Sequence, residues 1–366
     1  MPEQILSLSI EKKIGQLFFI GIPSAEFDET TRDLLQKIAP GGICLFARNI
    51  REAAKTRKLL DEITEASEIT PFLSIDQEGG LVDRLRRIVE PMPPASSLKT
   101  ASEVEKLAEI TGEILRILGF NMNFAPVVDV TDESRQRFVN GLNSRTFGDS
   151  KETAAEFGKV YLEKLQEKGV LGCLKHFPGL SASEVDSHEE LPSVNLPQNE
   201  LTEVDLFPYR EIFKTSKVNA VMIAHAAFPN SDLQELDRNG KLLPSSLSFN
   251  FTTELLRNEL FFNGISITDD LEMGAIVKSY GIGEACKMAI NAGADMIAIC
   301  NKPKAIREGF DAVSEAVKRG EISAARIDES LKRIAKVKNL IHFSLPFDES
   351  RLKELSGEIV KLKERT

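Results

Sequence analysis

Gly264-Ile265-Ser266-Ile267-Thr268, followed after a gap by Gly283-Glu284-Ala285-Cys286-Lys287-Met288-Ala289-Ile290-Asn291-Ala292 and then by Asp295-Met296-Ile297-Ala298-Ile299-Cys300, carries the pattern that decides the fold. The outer runs are short and apolar, as in a buried strand, and the middle one repeats apolar residues at i, i+3 and i+4, as on one face of a helix. Strand, helix, strand without a hairpin turn is a βα repeat around a parallel sheet.

Working outward, strand-like runs recur at 16–21, 42–46, 71–75, 121–128, 170–175 and 220–224, giving eight with 264–268 and 295–300. Helical periodicity fills 30–39, 52–67, 102–118, 151–168, 203–216, 252–259, 283–292 and 303–318, one stretch behind each strand. Eight strands with eight helices predict a closed (β/α)8 barrel, the TIM architecture, over an open doubly wound sheet, and no GxGxxG turn follows the first strand. Residues 349–365 set Leu352, Leu355, Ile359 and Leu362 on one stripe, so a last helix is expected against the outside of the barrel. No Pro-, Gly- or Ser-rich linker divides the chain. The expectation is one domain over 1–366, with the barrel across about 10–340 and a helical extension over 349–366.

The 366 residues are 42% hydrophobic and 28% charged, an ordinary globular composition. A net charge of −10 argues against nucleic acid or an anionic membrane as the main partner, since both call for a concentrated positive surface. Cys44, Cys173, Cys286 and Cys300 lie in apolar surroundings without CxxC spacing and read as reduced core residues. The apolar run 17–22 is short, and Glu11, Lys12 and Lys13 sit just before it, which is not a secretory pattern. A cytoplasmic chain, monomeric or weakly self-associating, is expected.

In such a barrel, reactive groups gather where strands end. The ends here are polar: Asp76-Gln77-Glu78-Gly79-Gly80 after the third strand, Asp129 after the fourth, Lys175-His176 at the fifth, His225 after the sixth, Asp269-Asp270 after the seventh. Each alone is as well explained by a helix cap or a buried hydrogen bond, and His225, following an apolar run, reads as a packed core histidine. At one rim together they make a site. The connection 177–198 is far longer than the ~2–6 residues a βα loop needs. Within it Asp186 and His188 are two apart, on one side of an extended segment, where the carboxylate can orient the imidazole and stabilise its charged form. An incidental turn Asp beside a surface His fits as well. No paired histidine spacing suggests a metal, and none is expected.

Lys175-His176-Phe177-Pro178-Gly179 followed by Asp186-Ser187-His188 resembles the signature of family-3 glycoside hydrolases, in their β-N-acetylglucosaminidase branch. The likeness continues in order through Asp76-Gln77-Glu78-Gly79-Gly80 with Arg84, Asn123-Phe124-Ala125-Pro126-Val127-Val128-Asp129-Val130 and Asn143-Ser144-Arg145-Thr146-Phe147-Gly148. It resumes with Asp205-Leu206-Phe207-Pro208-Tyr209, Ala224-His225-Ala226, Thr268-Asp269-Asp270-Leu271-Glu272-Met273 and Ala292-Gly293-Ala294-Asp295-Met296. The resemblance implies a retaining hydrolase of terminal β-linked N-acetylglucosamine that works without a cofactor. It makes Asp269 the nucleophile, His188 the acid/base assisted by Asp186, and Asp76, Arg84, Arg145, Lys175 and His176 the sugar-binding groups. Strand parity does not choose between Asp269 and Asp270, because the expected strand stops at Thr268; the choice comes from the family. A histidine acid/base departs from the usual pair of carboxylates. The family's usual role is the recycling of cell-wall muropeptides, which implies a glycan or muropeptide as the partner.

The chain departs from the pattern at Leu180-Ser181, where the family writes His-Gly, and at Leu81, where Arg is common. Two other readings fit the motifs. A phosphorylase on the same scaffold would use phosphate in place of water, which a histidine acid/base tolerates better than a glutamate would. A non-catalytic sugar-binding protein would have kept the barrel and lost turnover.

Overall fold

The computed structural model describes residues 2–138, 141–183 and 191–366. Eight strands, β1 (Phe18–Gly21), β2 (Gly42–Leu45), β3 (Phe72–Ile75), β4 (Met122–Asn123), β5 (Leu171–Phe177), β6 (Ala220–Ile223), β7 (Ile265–Asp270) and β8 (Met296–Ile299), pair in parallel in chain order. Phe18 of β1 registers with Ile297 of β8, closing the barrel that the alternating pattern predicts.

Each crossover is helical, and local signals in the sequence fix where the helices start and stop. Asp28 accepts from the Thr31 amide to begin Glu29–Ile38. Thr100 and Glu103 form a reciprocal capping box at the head of Ala101–Leu118, and Gly119, at φ 100°, takes the left-handed turn that ends it. Ser150 caps Lys151–Glu167 by accepting from the Thr153 amide, while Pro303 opens Pro303–Lys318, where a missing N–H costs nothing. Inside the barrel the Phe19 ring stacks on Phe72 and meets Phe124 edge-on, at centroid distances of 5.9 and 5.3 Å. Gly42 makes room for that ring, since a Cβ there would lie 2.2 Å from Phe19 Cε1.

Glu349–Lys363 buries Leu352, Leu355, Ile359 and Leu362 against Ala101–Leu118, as the stripe predicts, and Arg351 clamps Glu113 across the contact.

Several of the described elements differ from the sequence expectation. β4 is two residues long because Pro126 has no N–H to extend the ladder, and pairing resumes only at an isolated Val127–Lys175 bridge. The stretch 203–216 divides into a wide turn over Leu201–Asp205 and a helix over Phe207–Thr215 with Pro208 in its first turn. Ala324–Lys338 is a further helix that follows no strand; it buries Ile327, Leu331 and Ile334. β7 runs on past Thr268 through Asp270, with a register shift between Ile267 and Asp270.

Candidate active site

The strand tips assemble a charged cluster around Lys175, near the end of β5. Its ammonium lies 2.6 Å from Asp76 Oδ1, just beyond β3, and 2.6 Å from Glu78 Oε1. Arg145 closes the other side of Glu78, donating from Nε to Oε2 at 2.7 Å and from Nη2 to Oε1 at 2.9 Å. Burial alone would raise the Glu78 carboxyl, but Lys175 and Arg145 outweigh it and hold the group well below the ordinary carboxylate range. Burial likewise disfavours both cations, and their carboxylates more than restore the charge, with Lys175 and Arg145 each raised above their ordinary values.

Next to this cluster, His176 Nδ1 lies 2.7 Å from Asp129 Oδ2, and its Nε2 faces Arg145 Nη2 at 3.3 Å. Asp129 also accepts from the backbone amides of His176 and Leu180, so one carboxylate fixes both the ring and the start of the long connection. The Lys175–His176 and Phe177–Pro178 peptide bonds are cis.

Asp269, at the tip of β7, faces the same space. Burial would push its carboxyl up, yet His225, His176, the Asp270 amide and Lys175 together keep it below its ordinary value. The Asp270 N–H donates to Asp269 Oδ1 at 2.8 Å. Asp270 has a different environment: burial raises its carboxyl to about 7, while Oδ1 accepts from the Glu272 and Cys300 amides. Two adjacent carboxyls are thus shifted in opposite directions, Asp269 down and Asp270 up.

One cavity at the C-terminal mouth of the barrel is lined by Asp76, Arg84, Arg145, Lys175, His176 and Asp269 together, so the five sugar-binding candidates and the nucleophile candidate converge. Arg84 lies over the Phe46 ring, 5.8 Å from its centroid. Leu180 lines the same cavity, whereas Leu81 is 69% exposed. Asp186 and His188 lie outside the described residues. His225 is a buried, hydrogen-bonded histidine as expected, with Nδ1 2.7 Å from Ser246 Oγ and Nε2 3.1 Å from the Asp270 carbonyl, but it also acts on Asp269. Glu78 and Asp129 went unassigned in the sequence. Their positions at strand ends marked them as polar rim residues, but nothing in the sequence tells which cations they meet.

A model of the glycosyl hydrolase family 3 N terminal domain matches residues 9–337. The chain belongs to glycosyl hydrolase family 3. The match spans all eight strands of the barrel and stops before Glu349–Lys363. Over 327 residues the chain is 31% identical to the Beta-hexosaminidase A of Pseudoalteromonas piscicida, covering 84% of this chain and 54% of that protein, so it spans about half the length of that relative. It spans 88% of the Beta-hexosaminidase of Tolumonas auensis, at 29% identity over 84% of this chain. Among solved structures, a family-3 beta-N-acetylglucosaminidase from Paenibacillus sp. str. FPU-7 superposes with a TM-score of 0.88 at 34% identity, covering 97% of this chain and 69% of that one. No helix among the described residues is long and apolar enough to cross a membrane.

Proposed function

We propose that this family-3 chain is a retaining exo-β-N-acetylglucosaminidase that works through a covalent glycosyl-aspartate. Asp269 attacks the anomeric carbon as the leaving oxygen takes a proton from His188, and an ester forms through an oxocarbenium-like transition state. His188 then draws a proton from water, which opens the ester and releases N-acetylglucosamine with its β configuration kept. Asp186 orients His188 in this scheme. Asp76 accepts from sugar hydroxyls, while Arg84, Arg145, Lys175 and His176 donate to hydroxyl and acetamido oxygens.

The observation that carries this reading is the environment of Asp269: a carboxylate at a strand tip, open to the cavity, kept ionised against burial by the groups around it. An ionised carboxylate is what a nucleophile at this carbon requires. The names of the relatives support the sugar, and the resemblance supports peptidoglycan recycling in the cytoplasm as its setting.

Replacing Asp269 by Ala tests the assignment. Turnover of an aryl β-N-acetylglucosaminide should be lost with folding retained, and azide should restore release of the aryl group while giving the α-glycosyl azide. Undiminished turnover without azide would overturn the role. Product analysis with and without phosphate separates hydrolysis from phosphorolysis, and free N-acetylglucosamine in both is expected.

A further inference from the structure

The proposed chemistry leaves two thiols at the cavity unused. Cys44 on β2 registers with Gly21 of β1, and on the other side of β1 Ile20 registers with Ile299 of β8, which brings Cys300 beside Gly21. The two cysteines therefore flank a residue with no side chain. The β8 chain closes in over that gap, since a Cβ on Gly21 would lie 1.8 Å from the Cys300 carbonyl oxygen. Arg48 holds it there, donating from Nη2 to that oxygen and from Nε to the Ile22 carbonyl. Both thiols are free, both are almost wholly buried, and both line the cavity that contains Asp269 and Asp270. Cys173 and Cys286 are equally free but do not line it.

We propose that Cys44 and Cys300 form a two-thiol site for one soft, two-coordinate cation, of the silver(I), copper(I) or mercury(II) type, at the floor of the sugar cavity. Thiolate sulfur selects such ions over harder ones. A tetrahedral ion such as zinc asks for more ligands, and among the described residues no group of three His, Cys, Asp or Glu side chains is arranged to hold a metal. No electron moves in the binding step. Each S–H bond gives its proton to water, and two sulfur–metal bonds form in their place.

The protons make the site recognisable. Such an ion binds a cysteine through its thiolate, so an ion held by both sulfurs displaces two protons. The apparent affinity should then rise about 100-fold per pH unit, where a single thiol would give about tenfold. A bound ion would stand beside Asp270, whose Oδ1 accepts from the Cys300 amide at 3.2 Å, and would occupy space the sugar needs.

The test is a titration of the full chain with mercury(II) chloride in the absence of substrate, reading the sulfur-to-mercury charge-transfer absorption and the protons released. One tightly bound ion per chain, two protons per ion, and at least a 100-fold weakening in both Cys44→Ser and Cys300→Ser are expected, with Cys173→Ser and Cys286→Ser unchanged. Release of one proton per ion, or undiminished binding in either Cys44→Ser or Cys300→Ser, would overturn the proposal. Circular dichroism checks that each variant is folded, and the proton count on the unaltered chain decides even where a variant is not. Since no sugar is present, the outcome is independent of whether the hydrolase reading holds.

Discussion

Lys175 holds two carboxylates at once, with Asp76 and Glu78 each 2.6 Å from its ammonium, and Arg145 shares the second of them. The proposed sugar-binding face is therefore an alternating row of charge: Asp76, Lys175, Glu78, Arg145. Each cation is fixed by a neighbour before any ligand arrives, which removes the cost of ordering it on binding.

Glu78 is buried between the two cations, so replacing it should act through its partners. Glu78→Gln keeps the shape but leaves Lys175 and Arg145 side by side without their shared counter-charge. Stability is expected to fall by about 3 kcal/mol, the usual cost of breaking a buried pair from one side. Denaturant midpoints measure this. KM for an aryl N-acetylglucosaminide should rise roughly tenfold or more, with a smaller change in kcat. A KM equal to that of the unaltered chain would mean that Glu78 does not organise the binding face.

After the opposing pull of burial, His225 is the leading group that draws the Asp269 carboxyl down. Its replacement by Gln, which can still hydrogen-bond to Ser246, should let that carboxyl rise. The acidic limb of kcat/KM against pH is then expected to move to higher pH, because more of Asp269 is protonated at a given acidity. A limb that stays in place would show that His225 is a packing residue only.

His188 is assigned from its motif, and its test depends on the leaving group. Removing a general acid hurts most where the departing oxygen is basic. His188→Ala should lose on the order of 100-fold or more on an alkyl or disaccharide substrate and far less on a nitrophenyl glycoside. Equal losses on the two would contradict a proton-donating role.

At the opposite end of the barrel, Lys338 is fully buried and donates to Gln16 Oε1 and the Thr70 carbonyl, both at 2.9 Å, and among the described residues it pairs with no carboxylate. Burial pushes it from an ordinary 10.5 down to about 7. The folded state then binds fewer protons than the unfolded chain between these values, so its stability should rise relative to Lys338→Met from pH 7 towards 10.5. Below pH 7 the difference should level off. Unfolding midpoints across this range check it, and a difference independent of pH would mean that Lys338 stays charged.

Much of this arrangement is legible in the sequence, because strand order and the clustering of reactive groups at one rim follow from periodicity alone. The five sugar-binding candidates, drawn from a motif resemblance, line one cavity with Asp269. What the sequence hides has physical causes. The register shift between Ile267 and Asp270 removes the strict alternation of faces that would have distinguished Asp269 from Asp270. The partners of Glu78 come from 67 and 97 residues further along, a distance no local pattern spans. Ala324–Lys338 has a serine cap and a periodic apolar face, but a count of one helix per strand leaves it over. Cys44 and Cys300 read as core because their neighbours in sequence are apolar, and only closure of β8 on β1 sets them together at the cavity.

The central claim is a covalent bond from Asp269 to the sugar. A 5-fluorinated N-acetylglucosaminyl fluoride, which slows release of the glycosyl-enzyme more than its formation, can accumulate that species for peptide mapping by mass spectrometry. The account predicts one sugar per chain, on the peptide that contains Asp269 and on that side chain. A sugar attached to Asp270 or another residue, or turnover that leaves no adduct and inverts the anomeric centre, would contradict it.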